Sequence, residues 1–460
     1  MYKINFNQPI HIHFIGIGGI SMSGFAELLH SAGFTISGSD TKESKITKHL
    51  ESLGINILYG QRASNITPNI DLVVYTAAIS EDNPEFQAAV KSNIPMMDRA
   101  EMVGQVMTNY ETPVAISGTH GKTTTTSMVS HIFLEADLDP TISVGGILKA
   151  IDGNLRIGKS GYFITEACEY TNSFLKFNPL ISIILNIEED HLDFFKDIDD
   201  IRHSFHEFSK RLPKDGLLII NGEIDRWNEL TNDLECNVVT YGYDPDNCTY
   251  AATNISYNEQ GYGCYDLTKN GAFIDHIQLS VVGKHNISNS LAAICVAEHL
   301  NLPLSITKRG LMSFTGTDRR FQYKGEVGGI SIIDDYAHHP TEIEATLLSA
   351  SRYPHKTCWC VFQPHTYTRT RAFLKEFAKA LSLADKVVLA DIYAAREVNP
   401  GDISSKDLLE ELKALGCDAY YFPSFDEIEN FLLENCTNGD LLITMGAGDI
   451  VTVGESLLGK

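Results

Sequence analysis

Residues 117 to 126 read Ser-Gly-Thr-His-Gly-Lys-Thr-Thr-Thr-Thr, and these types at this spacing suit phosphate chemistry. Glycines in a strand-to-helix turn let successive backbone N–H groups point at one anion. Lys122 adds a mobile positive charge for the outer phosphates, and the Thr123 hydroxyl can ligate Mg²⁺. Gly118 and Gly121 enclose only Thr119 and His120, a shorter interval than the general phosphate-loop pattern. An ordinary turn containing Gly-Lys-Thr is the competing reading. Against it stand a buried strand before the loop (Pro113 to Ile116) and helical spacing after it (Met128, Val129, Ile132, Phe133). The stretch therefore reads as a nucleoside triphosphate site continuing through Thr124.

Other candidate groups sit where strands end. Gly161 to Thr165 reads as a strand delivering Glu166, where an acid beside a phosphate loop can hold Mg²⁺ directly or through water. A surface carboxylate is the alternative. The strand Leu180 to Leu185 runs into Asn186-Ile-Glu-Glu-Asp-His191-Leu-Asp193, from which His191 can reach a metal–phosphate centre. His285, Asn286 and Asn289 fall on the first turn of an apolar helix, where capping explains one of them and three suggest a ligand. Four polar segments follow C-terminal strands: 334–342, 363–371, 393–397 and 446–449. Strand C-termini are the ligand edge of a doubly wound sheet, and the basic and histidine residues there suit a carboxylate.

At the N-terminus a strand over 10–15 leads into Gly16-Ile-Gly18-Gly19-Ile-Ser21, and a second strand ends at Gly38-Ser39-Asp40. A glycine turn with an acid about 20 residues on is the dinucleotide-binding layout. Ser21 replaces the third glycine, so NAD and a UDP-linked ligand both remain open. Thr76-Ala-Ala78-Ile-Ser80 follows another buried strand and is either a ligand edge or a simple loop.

These positions require alternating strands and helices throughout, so the fold class is α/β in three domains. The N-terminal one (1–109) is Rossmann-like, the central one (110–317) carries the phosphate loop, and the C-terminal one (318–460) is again Rossmann-like. Three ligand-facing modules argue for a ligase or kinase over a dehydrogenase. A net charge of −23 argues against a nucleic-acid binder. The nine cysteines include no CxxC pair, and Cys358 and Cys360 alternate on an apolar strand, which points to core packing. With no signal peptide or bilayer-length apolar run, a cytoplasmic protein without membrane partners is expected.

Taken together, the motifs make a specific combination. The chain resembles the Mur ligases along essentially its whole length. The resemblance rests on Ile15-Gly-Ile-Gly-Gly-Ile20, Gly38-Ser-Asp40, Gly118-Thr-His-Gly-Lys-Thr-Thr-Thr-Thr126, Asn186-Ile-Glu-Glu-Asp-His191, Asp334-Asp-Tyr-Ala-His-His-Pro-Thr-Glu342, Phe362-Gln-Pro-His365 and Gly446-Ala-Gly-Asp449. The first and the last three of these segments point to the member that adds L-alanine.

What the resemblance implies is ATP-dependent amide synthesis, with L-alanine joined to the carboxylate of UDP-N-acetylmuramate through an acyl phosphate. Gly16, Gly18, Gly19, Ser39, Asp40, Thr76 and Ala78 would hold the UDP-substrate. Gly118 to Thr124 would hold the ATP phosphates, with Mg²⁺ on Thr123 and Glu166 and a second Mg²⁺ near His191. Asn286 and Asn289, with His285 beside them, would lie near adenine, and Asp334 or Asp335 near the ribose. His338, His365 and Arg369 would face the muramyl or alanine carboxylates, and a monomer or weak homodimer is implied. Three departures stand out. No lysine occupies the place carbamylated in some sister ligases, which falls near His206 with Lys210 the nearest lysine. Thr366 stands where some members have arginine, and Arg396 where others have glycine. The nearest rival is a recycling ligase adding a whole murein tripeptide to the same UDP-sugar. An NAD-dependent dehydrogenase and a binding protein that uses ATP only for closure are more distant ones.

Overall fold

The computed structural model describes residues 3–460 apart from Ala77 and Arg396; the departure at Arg396 thus lies outside the described residues. Two compact units make up the chain. The first holds everything up to Gly118 with Val129–Asn186 and Arg202–Val239; the second holds Thr119–Met128, Ile187–Ile201 and Thr240–Lys460. The region expected as a central domain contributes segments to both.

In the first unit, β1 (His11–Ile15), β2 (Thr35–Asp40), β3 (Asn56–Tyr59), β4 (Leu72–Tyr75) and β5 (Met96–Asp98) form a sheet ordered β3-β2-β1-β4-β5. Every pairing is parallel. Ile12, Phe14, Leu72 and Val74 are fully buried, as strands covered on both faces should be. Strand order reverses at β1, and such a switch point opens a ligand crevice. Gly16 follows β1 and Thr76 follows β4. A Cβ on Gly16 would lie 2.7 Å from Thr76 Cγ2 at a φ of +83°, so both space and backbone require glycine there.

A buried polar chain supports this edge. The helix Pro84–Lys91 supplies Glu85, whose Oε1 lies 2.6 Å from His13 Nε2 and whose Oε2 accepts from Ser39 Oγ at 2.6 Å. His13 Nδ1 lies 2.8 Å from Ser37 Oγ. Glu85, His13 and Ser39 are all fully buried. Glu85→Gln keeps the volume but places an amide nitrogen against a donor. A loss of about 1–3 kcal/mol is expected, readable as a lower urea midpoint.

A second sheet in this unit is built from β6 (Thr112–Ser117), β7 (Thr141–Leu148), β8 (Gly153–Arg156), β9 (Tyr162–Glu166), β10 (Ile181–Ile184) and β11 (Leu217–Asn221). They lie in the order β11-β10-β6-β9-β7-β8, parallel except for β8. Glu166 stands in register with Ile116, and Ile184 with Ser117. The ends of β9 and β10 therefore flank the strand that feeds the phosphate loop.

The second unit takes up the chain within β12 (Asn237–Gly242) and continues through an antiparallel meander of β13 (Tyr250–Tyr257), β14 (Tyr262–Lys269) and β15 (Ala272–Val282). Its larger sheet comprises β16 (Gln322–Val327), β17 (Ile330–Asp335), β18 (Cys358–Phe362), β19 (Lys386–Leu389), β20 (Asp418–Tyr421) and β21 (Leu441–Met445). The order is β16-β17-β21-β18-β19-β20, with only the β16 pairing antiparallel. Along β18 the side chains alternate between two cores. Cys358, Cys360 and Phe362 enter one, Trp359 and Val361 the other, so both cysteines pack as expected. No helix among the described residues is long and apolar enough to cross a membrane.

Candidate functional site

At the N-terminal edge, the Gly18 N–H donates to Asp40 Oδ2 at 2.8 Å and the Thr41 N–H to Asp40 Oδ1 at 2.7 Å. The acid at the end of β2 thus fixes the turn after β1. Gly19 caps the helix Ile20–Ser31, Thr76 is half-buried and Ala78 exposed. Ser39 is also expected to hold the UDP-substrate. Its buried hydroxyl is given to Glu85, which makes it a support beneath the turn.

The loop after β6 starts the helix Lys122–Glu135 as the spacing requires. Gly118 has φ +144°, and a Cβ there would lie 2.8 Å from Leu185 Cβ, so the loop passes β10 too closely for a side chain. Gly121 also has positive φ. Lys122 Nζ donates to the Thr119 carbonyl at 3.1 Å, curling over the loop. The Glu188 N–H donates to Thr119 Oγ1 at 2.9 Å, tying the loop to the segment that carries His191. Thr123 and Thr124 are partly open, and His191 is half-buried with φ +53°. Glu166 belongs to the first unit, Thr123 and His191 to the second.

His120 anchors a cluster of imidazoles and carboxylates. Its Nε2 lies 3.5 Å from Glu188 Oε2 and its Nδ1 3.3 Å from Glu342 Oε1. The His339 ring lies 4.6 Å away, centroid to centroid. Burial disfavours the charge on His120, but Glu342 and Glu188 outweigh it and raise the pKa to about 9. Burial likewise opposes the Glu342 carboxylate, yet the neighbouring imidazoles and Arg320 hold it well below the usual range. With a folded pKa above its ordinary 6.5, His120 contributes stability that is whole below pH 6.5 and lost as pH rises through about 9. Thermal midpoints should fall across that window, and a His120→Gln variant should lack the slope.

The C-terminal segments converge as the sheet edge predicts. The Tyr393 N–H donates to the Pro364 carbonyl, the Thr366 N–H to the Tyr393 carbonyl and the Gly446 N–H to the Asp335 carbonyl. The His365 ring stacks on Tyr393 and meets His338 at 5.6 Å. Arg369 donates to His365 Nδ1 at 3.1 Å and, through Nε and Nη2, to Asp190 Oδ1 at 3.1 and 2.9 Å. Burial pushes the His338 pKa down to about 3, while burial and Arg369 push His365 to about 4. Both rings are therefore neutral at neutral pH. The cationic character expected of this pocket falls to Arg369, already countered by Asp190.

Asp334 and Asp335, expected near the ribose, are buried within β17. Asp334 pairs with Arg319 at 3.0 Å and accepts from Thr444 Oγ1 at 2.8 Å, while Asp335 accepts from the Phe321 and Ala337 N–H groups. Burial raises the Asp335 pKa to about 6. Asn286 and Asn289 do share the first turn of the helix Lys284–His299, beside an exposed His285. Neither caps it. Asn286 donates to the Val282 carbonyl at 2.8 Å and Asn289 to Asn286 Oδ1 at 3.0 Å. Sequence reasoning missed Arg319 and Arg320, whose guanidinium groups lie 4.9 and 5.4 Å from the centre of the Tyr336 ring. Adjacent arginines just before the strand Gln322–Val327 were the available signal. At the departure from sister ligases, His206 faces Asp233 at 2.7 Å and Lys210 pairs with Glu207 and Asp233.

Three family models match in succession. They are the Mur ligase family catalytic domain over residues 11–111, the Mur ligase middle domain over 116–297, and the Mur ligase glutamate ligase domain over 319–448. The chain belongs to the Mur ligase family. It is 62% identical to a UDP-N-acetylmuramate–L-alanine ligase of Lachnoclostridium phytofermentans, with all of both chains covered. A solved UDP-N-acetylmuramate–alanine ligase from Thermotoga maritima matches with a TM-score of 0.80 and 31% identity, over 98% of each chain. A murein peptide ligase from Psychrobacter arcticus, 23% identical with a TM-score of 0.71 over 98% of each chain, shares the fold.

Proposed function

We propose that the protein is an ATP-dependent ligase that joins L-alanine to the carboxylate of UDP-N-acetylmuramate, in the cytoplasmic synthesis of peptidoglycan precursor. The observation that carries this reading is full-length identity of 62% to a relative so named. The site residues suit the chemistry. One anion must attack another when the muramyl carboxylate displaces ADP from the γ-phosphate to give an acyl phosphate. Lys122 offsets that repulsion, and loop N–H groups cradle the phosphates. The alanine amine then attacks the acyl carbon, and the tetrahedral intermediate expels phosphate. Arg369 and the neutral ring of His365, whose Nδ1 accepts from Arg369 and so leaves an Nε2–H, offer donors to a substrate carboxylate, while His338, whose Nδ1–H is given to the Tyr336 carbonyl, offers an acceptor.

In the second unit the Thr123 hydroxyl offers Mg²⁺ an oxygen donor and His191 a nitrogen donor; in the first, the Glu166 carboxylate is an oxygen donor of the kind Mg²⁺ prefers. When bound, the ion would neutralise phosphate charge. The turn between β1 and β4, fixed by Asp40, is the place for the UDP moiety. The deciding experiment is phosphate release with ATP, Mg²⁺ and UDP-N-acetylmuramate, adding L-alanine, D-glutamate or murein tripeptide separately. Release that requires L-alanine is expected. Release only with tripeptide would assign the protein to recycling, and silence with all three would sink the proposed reaction.

A further inference from the structure

We infer that His120, Glu188 and His339 form a cation site of their own, suited to a transition-metal ion of the zinc class and separate from the Mg²⁺ site. One ligand atom from each lies within 4.8 Å of the other two. Two imidazoles and a carboxylate are the donor set that Zn²⁺ favours, whereas Mg²⁺ prefers oxygen alone. Ligands about 2.0–2.1 Å from a tetrahedral ion stand roughly 3.3 Å apart, close to the 3.5 Å between His120 Nε2 and Glu188 Oε2. His339 completes the set, with a ring nitrogen within 4.8 Å of the other two ligand atoms.

The surroundings are those of a built metal site. Ligating histidines commonly commit their other ring nitrogen to a carboxylate or a backbone carbonyl. His120 Nδ1 faces Glu342 Oε1 at 3.3 Å, and His339 Nε2 donates to the Glu189 carbonyl at 3.0 Å. The latter bond fixes the tautomer and leaves Nδ1 of His339 with its lone pair. That atom's contact, from the Thr341 N–H, is long at 3.4 Å and is the one an ion would replace. The Glu188 carboxylate is oriented by Thr341 Oγ1 at 2.6 Å. An ion bound there would displace the proton of His120, and Glu188 and Glu342 would then supply two negative charges to balance it. Bound there, it would fasten the phosphate loop to the start of the helix Pro340–Ala350.

Co²⁺ accepts the same ligands and reports them in its visible absorption, so it is the probe. The full chain is titrated with Co²⁺ in excess Mg²⁺. Uptake of one ion with intense visible bands is expected. Glu188→Gln and His339→Asn should each weaken it at least tenfold, and Thr341→Val about 10–100-fold through lost orientation. Asparagine at 339 retains a good helix cap, and matched thermal midpoints confirm that the variants are folded. His191→Ala should leave the titration unchanged. Absence of uptake, uptake indifferent to the Glu188 and His339 changes, or uptake abolished by His191→Ala would each overturn the assignment.

Discussion

Lys122→Ala is expected to lower turnover about a hundredfold or more while leaving the chain folded. The ammonium is partly exposed and donates to the Thr119 carbonyl at 3.1 Å, a bond that phosphate oxygens can take over. It stands at the first residue of the helix Lys122–Glu135, where alanine is well tolerated. The loss should therefore fall on the chemical step, where negative charge accumulates on the transferring phosphoryl group. Phosphate release at saturating substrates, with circular dichroism alongside, reads both quantities. Near-normal turnover would remove the loop from the mechanism.

Asp190→Ala carries the second large effect, here on stability. Asp190 and Arg369 pair at 2.9 Å with side chains only 8% and 10% exposed. Removing the carboxylate leaves a guanidinium nearly buried without its counter-charge, which costs about 3–5 kcal/mol. Chemical denaturation should show that loss, and Arg369→Lys should not substitute freely because a lysine lacks the planar fork. The pH dependence has a definite sign. Burial opposes the charge, but Arg369 and the neighbouring histidines hold the Asp190 carboxyl far below its ordinary value of 3.8. Its contribution is present above that value and disappears as pH falls below it. Acid unfolding of the alanine variant should lack this component.

Much of the architecture was legible because it rests on period and punctuation. The strand before Gly118, the helix after Lys122 and the polar segments beyond β17, β18, β19 and β21 all followed from apolar runs ending in turn residues. The strands β5, β7, β8, β11, β14 and β16 escaped. Several of them mix polar residues into short, partly exposed runs, so no clear alternation marks them. Side-chain direction was harder still. The strand expected to end before the polar segment 334–342 continues through Asp335, whose partner in register is Met445. Two acids read as loop residues therefore lie in the sheet, facing Arg319 and backbone donors. The direction of Ser39 was hidden in the same way: its place at the end of β2 was right, and its hydroxyl points to Glu85. The pairing of Asp190 with Arg369 joins residues 179 positions apart, and no local pattern records such a contact.

The turn between β1 and β4 has its shape before any ligand arrives. Asp40 holds the Gly18 N–H, Ser39 is locked to Glu85, and Gly16 closes against Thr76. A group entering that crevice has little backbone left to order, so the entropy lost on association falls mainly on the ligand itself. Calorimetry should then show a heat-capacity change that tracks the apolar surface covered, and not the greater change that accompanies folding of a loop around its guest.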